Sequence, residues 1–194
     1  QDISCFGQCS TTVALPILSA CGIETAIMPS AILSTHTGGF RGFTFRDLTE
    51  DLPGIMEHWM KEGIGFEAIY TGYLGSKRQI EIVKGLFKNL LKPEGKRIVD
   101  PAMADNGRLY TGFDNEFVKE MRSLVAVSDI ILPNMTEAAL LGDTEIILEN
   151  QSEEYIRNVI DKLKELGAKD IILKGIKNVE GKLGIAIYED EKNS

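Results

Sequence analysis

Short apolar runs alternate with longer amphipathic stretches along the whole 194-residue chain, and this alternation limits the fold more than any other feature. Brief apolar runs make buried strands. Apolar residues spaced three and four apart make helices with one greasy face. The two in alternation predict an α/β fold, a mostly parallel central sheet with helices on both faces. A helix is predicted from Thr11 to Cys21, with Ser10 at its N-cap and Gly22 ending it. A strand broken by Pro29 is predicted between Ile23 and Leu33, then a loop from Ser34 to Phe43. Leu48, Leu52, Ile55, Met56 and Trp59 have helical spacing, which predicts a helix over 47–61. Ala68 to Tyr73 reads as a strand, and Ser76 caps a predicted helix whose inner face is Ile80, Val83, Leu86, Phe87 and Leu90. Further strands are expected at 97–99, 130–132, 171–173 and 183–188, and further helices at 115–125, from 136 and at 153–166. No repeat or low-complexity tract interrupts the pattern, and 142–152 is its least structured interior stretch.

The length suits one core, so residues 1–194 are read as a single α/β domain. Both ends read as cut, because the chain opens on Gln1-Asp2-Ile3 without a Met and stops just after a strand-like run. A formal charge of −8 argues against a nucleic-acid or anionic-membrane partner. A nucleotide remains possible, since backbone N–H groups and a metal hold it locally. Three cysteines, Cys5, Cys9 and Cys21, suit a reducing, cytoplasmic setting better than a disulfide framework. No window approaches the ~20 apolar residues of a membrane span, and no signal peptide is recognisable.

Ligands of open α/β sheets bind beyond the carboxyl ends of the strands. The polar residues that follow the predicted strands are therefore the candidates: Asp100, Asn134 with Glu137, Lys174-Gly175, Thr71-Gly72-Tyr73, and Thr35-His36-Thr37-Gly38-Gly39. Asp100, Asp105 and Glu137 with the amide oxygen of Asn134 suit a hard cation carrying a phosphate. The plainer alternative makes Asp100-Pro101 and Pro133-Asn134 turns, and Glu137 a first-turn helix residue. Gly38, Gly39 and Gly42 around Phe40 and Phe43 form either a flap or an ordinary loop. Neither GxxxxGK[ST] nor GxGxxG occurs. His36 is a candidate ligand contact, His58 reads as structural, and no histidine-based metal site follows from the two.

Five segments, in order, resemble one family. They are Gln1-Asp2, His36-Thr37-Gly38, the run from Thr71 to Ser76, Asp100-Pro101-Ala102-Met103-Ala104-Asp105 (against DPVMGD) and Pro133-Asn134-Met135-Thr136-Glu137 (against PNxxE). Together they resemble the pyridoxal/pyridoxamine kinases of the ribokinase superfamily. The resemblance implies a ribokinase-like fold and a cytoplasmic, homodimeric enzyme of vitamin B6 salvage. It would use ATP and Mg2+ to phosphorylate the 5′-hydroxymethyl group of a B6 vitamer. By the same resemblance Asn134 and Glu137 would hold the Mg-phosphate, and Asp100, Asp105 and Lys174 would lie on the nucleotide side. His36, Thr37 and Tyr73 would face the pyridine ring, and Asp2 would stand where a Ser often contacts it. Three departures matter. The family's GTGD segment, with its anion hole and catalytic Asp, is absent and is expected beyond the last strand. Asp2 in place of Ser favours a cationic substrate such as pyridoxamine. Lys174-Gly175 is closer to the hydroxymethylpyrimidine kinases, which stand as the alternative enzyme; a non-catalytic ligand-binding relative is the alternative outside that class. No catalytic base is assigned within this chain, so residues 1–194 alone are expected not to phosphorylate pyridoxal or pyridoxamine. Turnover of ~1 per second or faster would place a base inside the chain.

Overall fold

The computed structural model describes residues 1–190, with ten strands and six helices among them. In chain order the first are β1 (Ile3–Ser4), α1 (Thr11–Ala20), β2 (Ala31–Leu33), β3 (Phe45–Asp47), α2 (Leu52–Lys61), β4 (Phe66–Thr71) and α3 (Lys77–Asn89). There follow β5 (Leu91–Val99), β6 (Ala104–Asp105), β7 (Arg108–Leu109), α4 (Asn115–Val125), β8 (Ile130–Ile131), α5 (Met135–Gly142), α6 (Glu153–Glu165), β9 (Asp170–Ile176) and β10 (Gly184–Tyr188). The chain divides into two compact units: residues 1–66 with 72–90, and residues 67–71 with those from 91 onward.

The first unit carries a three-stranded sheet in the order β1-β2-β3, with β1 parallel and β3 antiparallel to β2. Ser76 caps α3 as expected, its side chain accepting the Gln79 N–H at 3.3 Å, and Ile80, Val83, Leu86 and Phe87 enter the core. Three expectations are corrected here. Ser10 precedes α1 but its side chain does not cap it; its hydroxyl donates instead to Asp2 Oδ1 at 2.6 Å. The strand predicted from Ile23 shrinks to Ala31–Leu33. The predicted helix over 47–61 begins only at Leu52, because residues 45–47 pair with β2 and the Asp47 carboxylate accepts the Thr49 N–H. Gln79 ties this unit together from α3. It is only 1% exposed, its amide donates to Ser30 O at 3.0 Å and Thr49 Oγ1 at 2.8 Å, and its Oε1 accepts the Gly75 N–H at 2.7 Å.

The second unit is built on a five-stranded sheet in the order β10-β9-β8-β5-β4. β5, β8 and β9 run parallel and β10 is antiparallel to β9, which is the mostly parallel sheet expected. Val99, Ile131, Ile171 and Leu173 are fully buried on it. The amphipathic helices supply the rest of the core, with Met121 and Leu124 from α4, Ala138 and Ala139 from α5, and Val159 and Leu163 from α6. Asp114 caps α4 and Ser152 caps α6, each by accepting a backbone N–H three residues on. The buried Asp129 carboxylate accepts from Arg97 Nε at 2.8 Å and Lys169 Nζ at 2.7 Å, and so ties the start of β8 to β5.

Replacing Gln79 with Leu keeps volume but strands the Gly75 N–H, while the Ser30 carbonyl keeps the Leu48 N–H. A loss of ~1–3 kcal/mol is expected, measured as a fall in urea midpoint at unchanged slope. An unmoved midpoint would show that these bonds contribute nothing net.

Candidate functional site

Each group of candidate residues is held within one unit. In the second unit, β5 ends on the buried Val99 and hands the chain to Asp100, whose N–H donates to Thr71 O at 3.2 Å. The Asp100 side chain is 20% exposed and accepts from Lys174 Nζ at 2.9 Å. Burial raises its pKa, while the Lys174 ammonium pulls in the other direction. Lys174 does not follow its strand, as the sequence suggested. β9 runs on to Ile176, because the Lys174 N–H donates to Pro133 O at 2.9 Å and Lys174 bridges to Asn134 in parallel register. This pairing keeps Lys174 beside the end of β8, where its ammonium bonds Asp100.

Asn134 and Glu137 form a reciprocal capping box at the start of α5. Asn134 Oδ1 accepts the Glu137 N–H at 2.9 Å, and Glu137 Oε2 accepts the Asn134 N–H at 2.8 Å. Glu137 Oε1 accepts the Met103 N–H at 3.3 Å, and Asn134 Nδ2 donates to Ala104 O at 2.8 Å. Glu137 is 2% exposed. Burial, with a smaller contribution from the Asp100 charge, outweighs its backbone donors and Lys174 and pushes its pKa up to about 8.

Sequence reasoning missed Tyr110. Its phenol is pushed up to about 12, by burial first and then by the charges of Glu137, Asp105 and Asp100, so it stands among these acids. It also missed the β6–β7 hairpin, whose two-residue turn is Asn106-Gly107 with φ of 49° and 78°. Asn-Gly between strands was the available signal. Asp105 sits exposed at the turn, one oxygen accepting the Asn106 N–H at 2.8 Å and the other the Asn106 amide at 2.9 Å.

Among the described residues no three or more His, Cys, Asp or Glu side chains are grouped to hold a metal. The capping box engages Asn134 Oδ1 and both Glu137 oxygens with backbone donors. Direct coordination of Mg2+ by Asn134 and Glu137, implied by the resemblance, would use the second lone pairs of oxygens that already hold backbone N–H groups. Asp105 is exposed at its turn, and the Asp100 side chain is 20% exposed.

In the first unit, Asp2 is 5% exposed and accepts from the hydroxyls of Ser4 at 2.9 Å and Ser10 at 2.6 Å. Both its oxygens are thus engaged by its own loop. Tyr73 is half-buried, and its phenol pKa is raised by burial and then by the charges of Asp2 and Asp47. His36 accepts the Gly38 N–H on Nδ1 at 2.8 Å, which in the neutral ring leaves the proton on Nε2. Gly7 and Gly38 press on this imidazole, where an added Cβ would lie 2.6 Å and 2.8 Å from it. Phe40 meets His36 edge-on at 5.7 Å between ring centres, and Phe6 meets Phe40 at 5.8 Å. Phe6 is a further member that sequence reasoning missed; Thr37 is exposed beside this cluster.

The order of strands and helices, and the carboxylate and amide side chains at the ends of β5 and β8, define a ribokinase-like α/β fold. The chain belongs to the phosphomethylpyrimidine kinase family, whose model matches residues 18–193. A Bacteroides thetaiotaomicron protein, provisionally named a phosphomethylpyrimidine kinase and crystallised with pyridoxal, is 39% identical, with a TM-score of 0.91 over 98% of this chain and 67% of its own. Pyridoxal kinase from Lactobacillus plantarum is 31% identical, with a TM-score of 0.85 over 100% of this chain and 67% of its own. The hydroxymethylpyrimidine/phosphomethylpyrimidine kinase of Aquifex aeolicus is 30% identical over 74% of this chain and 52% of its own. The chain spans about half the length of the curated relatives it matches.

A carboxyl that holds its proton more tightly when folded stabilises the fold below its unfolded pKa and loses that contribution as pH rises. For Glu137 the loss runs from the ordinary value of 4.5 through about 8. Glu137→Gln is expected to flatten the fall in stability across that window, read from urea titrations at several pH values. An unchanged slope would show that Glu137 does not titrate in this way.

Proposed function

We propose that this chain supplies the substrate-binding and nucleotide-binding residues of a kinase that transfers the ATP γ-phosphoryl group to the 5′-hydroxymethyl of a B6 vitamer. The observation that carries the reading is the likeness to the Bacteroides protein that was crystallised with pyridoxal, at 39% identity over 98% of this chain. In the reaction a bond forms between the 5′ oxygen and the γ-phosphorus, ADP leaves, and the hydroxyl gives up its proton. None of the residues named here is assigned as the base that takes it. Such transfer depends on positioning and charge neutralisation. Lys174 supplies a cation, and Asp100 restrains it within hydrogen-bond distance. Asp100 and Asp105 border the nucleotide phosphates, and Asn134 and Glu137 shape the backbone there. Mg2+ carried in with the nucleotide would supply further charge neutralisation.

On the substrate side, His36 offers its Nε2–H, and the Phe6, Phe40 and Tyr73 rings suit a flat heteroaromatic. Thr37 offers an exposed hydroxyl. Asp2 acts as a buried negative charge, which favours the aminomethyl cation of pyridoxamine over the pyridoxal aldehyde. We further propose a homodimer in the cytoplasm. The three free cysteines fit a reducing compartment, and no described helix is long and apolar enough to cross a membrane.

The family model and the Aquifex relative favour a second reading, a hydroxymethylpyrimidine kinase. Titration of the chain with pyridoxamine, pyridoxal and hydroxymethylpyrimidine, each beside a non-hydrolysable ATP analogue, separates the two. B6 vitamers are expected to bind at least ~10-fold more tightly, a difference of about 1.4 kcal/mol. Tighter binding of the pyrimidine would establish the second reading instead. Asp2→Ser is expected to narrow the gap between pyridoxamine and pyridoxal, and an unmoved ratio would remove Asp2 from the substrate side.

A further inference from the structure

The hairpin that presents Asp105 is too short to hold its own position. β6 and β7 have two residues each, and the loop between them is Asn106-Gly107. Both loop residues have positive φ, the geometry of a tight two-residue turn. In such a turn the N–H of the second loop residue has no partner within the hairpin and needs an outside acceptor. The Gly107 N–H finds it in Thr136 Oγ1, at 3.0 Å. Thr136 lies in the first turn of α5 and is 2% exposed. Met103 N–H to Glu137 and Asn134 Nδ2 to Ala104 O hold the strand that leads into the turn. Three side chains at the start of one helix thus grip the hairpin at its root and at its tip.

We propose that Thr136 is a positioning residue for nucleotide binding: it fixes the tip of the Asp105 hairpin through the Gly107 N–H, and Asn134 and Glu137 fix its root. This rests on the assignment of Asp100, Asp105 and Lys174 to the nucleotide side. It gives Asn134 and Glu137 a role in holding the backbone that does not depend on a cation. Thr136 touches no reacting atom and acts through Gly107 and Asp105.

The test uses the chain with a non-hydrolysable ATP analogue, with and without Mg2+, and with pyridoxal as the reference ligand. Thr136→Val keeps the shape and deletes the acceptor. It is expected to weaken nucleotide binding by about tenfold, the scale of one half-buried donor left unpaired, with and without Mg2+. Pyridoxal affinity should be unchanged. Thr136→Ser restores the hydroxyl and should restore nucleotide binding. Hydrogen exchange on the unaltered chain gives a second reading that survives even if the Val variant fails to fold, because the Gly107 amide must be protected. A fast-exchanging Gly107 amide, an unmoved nucleotide affinity in a folded Thr136→Val chain, or no recovery with Ser would each overturn the proposal. A weakening seen only with Mg2+ would also overturn it and return the α5 start to a metal role. Failure of the unaltered chain to bind any nucleotide would overturn the kinase reading itself, and this proposal with it.

Discussion

The reciprocal bonds between Asn134 and Glu137 are the constraint on which the second unit's site depends. A helix start leaves its first N–H groups without partners, and here two side chains satisfy them while also reaching the neighbouring segment. Glu137 accepts from its own cap and from Met103, and Asn134 accepts from Glu137 and donates to Ala104. One buried carboxyl and one amide therefore set both the direction of α5 and the path of residues 103–104. Loss of either leaves buried backbone donors or acceptors unpaired, which costs more than the bond itself contributed.

That arrangement also sets the electrostatics. Asp100, Glu137 and Asp105 crowd one region, and Lys174 is the cation bonded there, at Asp100. Glu137 lies deepest and keeps its proton to about 8, while Asp100, more open, is raised by burial and opposed by the Lys174 ammonium. Crowded carboxyls separate in this way because an unpaired buried charge is expensive. The region thus sets an ammonium restrained by one carboxylate beside a second carboxyl that holds its proton well above the ordinary range. A cluster that looks acidic in the sequence is thus less hostile to an anion than its formal charges suggest.

The sequence made the elements legible wherever apolar spacing and a cap agreed. α4 falls on the predicted residues 115–125, and Ser76 caps α3 as expected, because one face of each helix is buried and the cap residue is of the right kind. It failed where long-range pairing decides. β3 at Phe45–Asp47 is exposed along its length and shows no apolar pattern; it exists because β2 offers it an edge. Ser10 looked like a cap, but a buried carboxylate eight residues earlier took its hydroxyl. For the site, Asp100, Asn134 and Glu137 were legible as polar residues after strands, and Tyr110 was not, because its placement depends on a hairpin that only Asn106-Gly107 announces.

The two groups of residues are stabilised in opposite ways, and this bears on how each can work. In the first unit the imidazole of His36 is wedged by the backbones of Gly7 and Gly38 and edged by Phe40, whose neighbour Phe6 is 65% exposed. Apart from the Gly38 N–H bond to Nδ1, these contacts are ring edges and faces, and an arriving flat ring can replace water on the exposed aromatic surface. In the second unit the side chains are joined by directional hydrogen bonds to buried backbone, where a small displacement strands a donor. Rearrangement on binding is therefore cheaper around His36 than around Glu137. A loosely held aromatic face suits recognition of a ring, while a rigid polar frame suits chemistry in which misplacement of the reacting groups is heavily penalised.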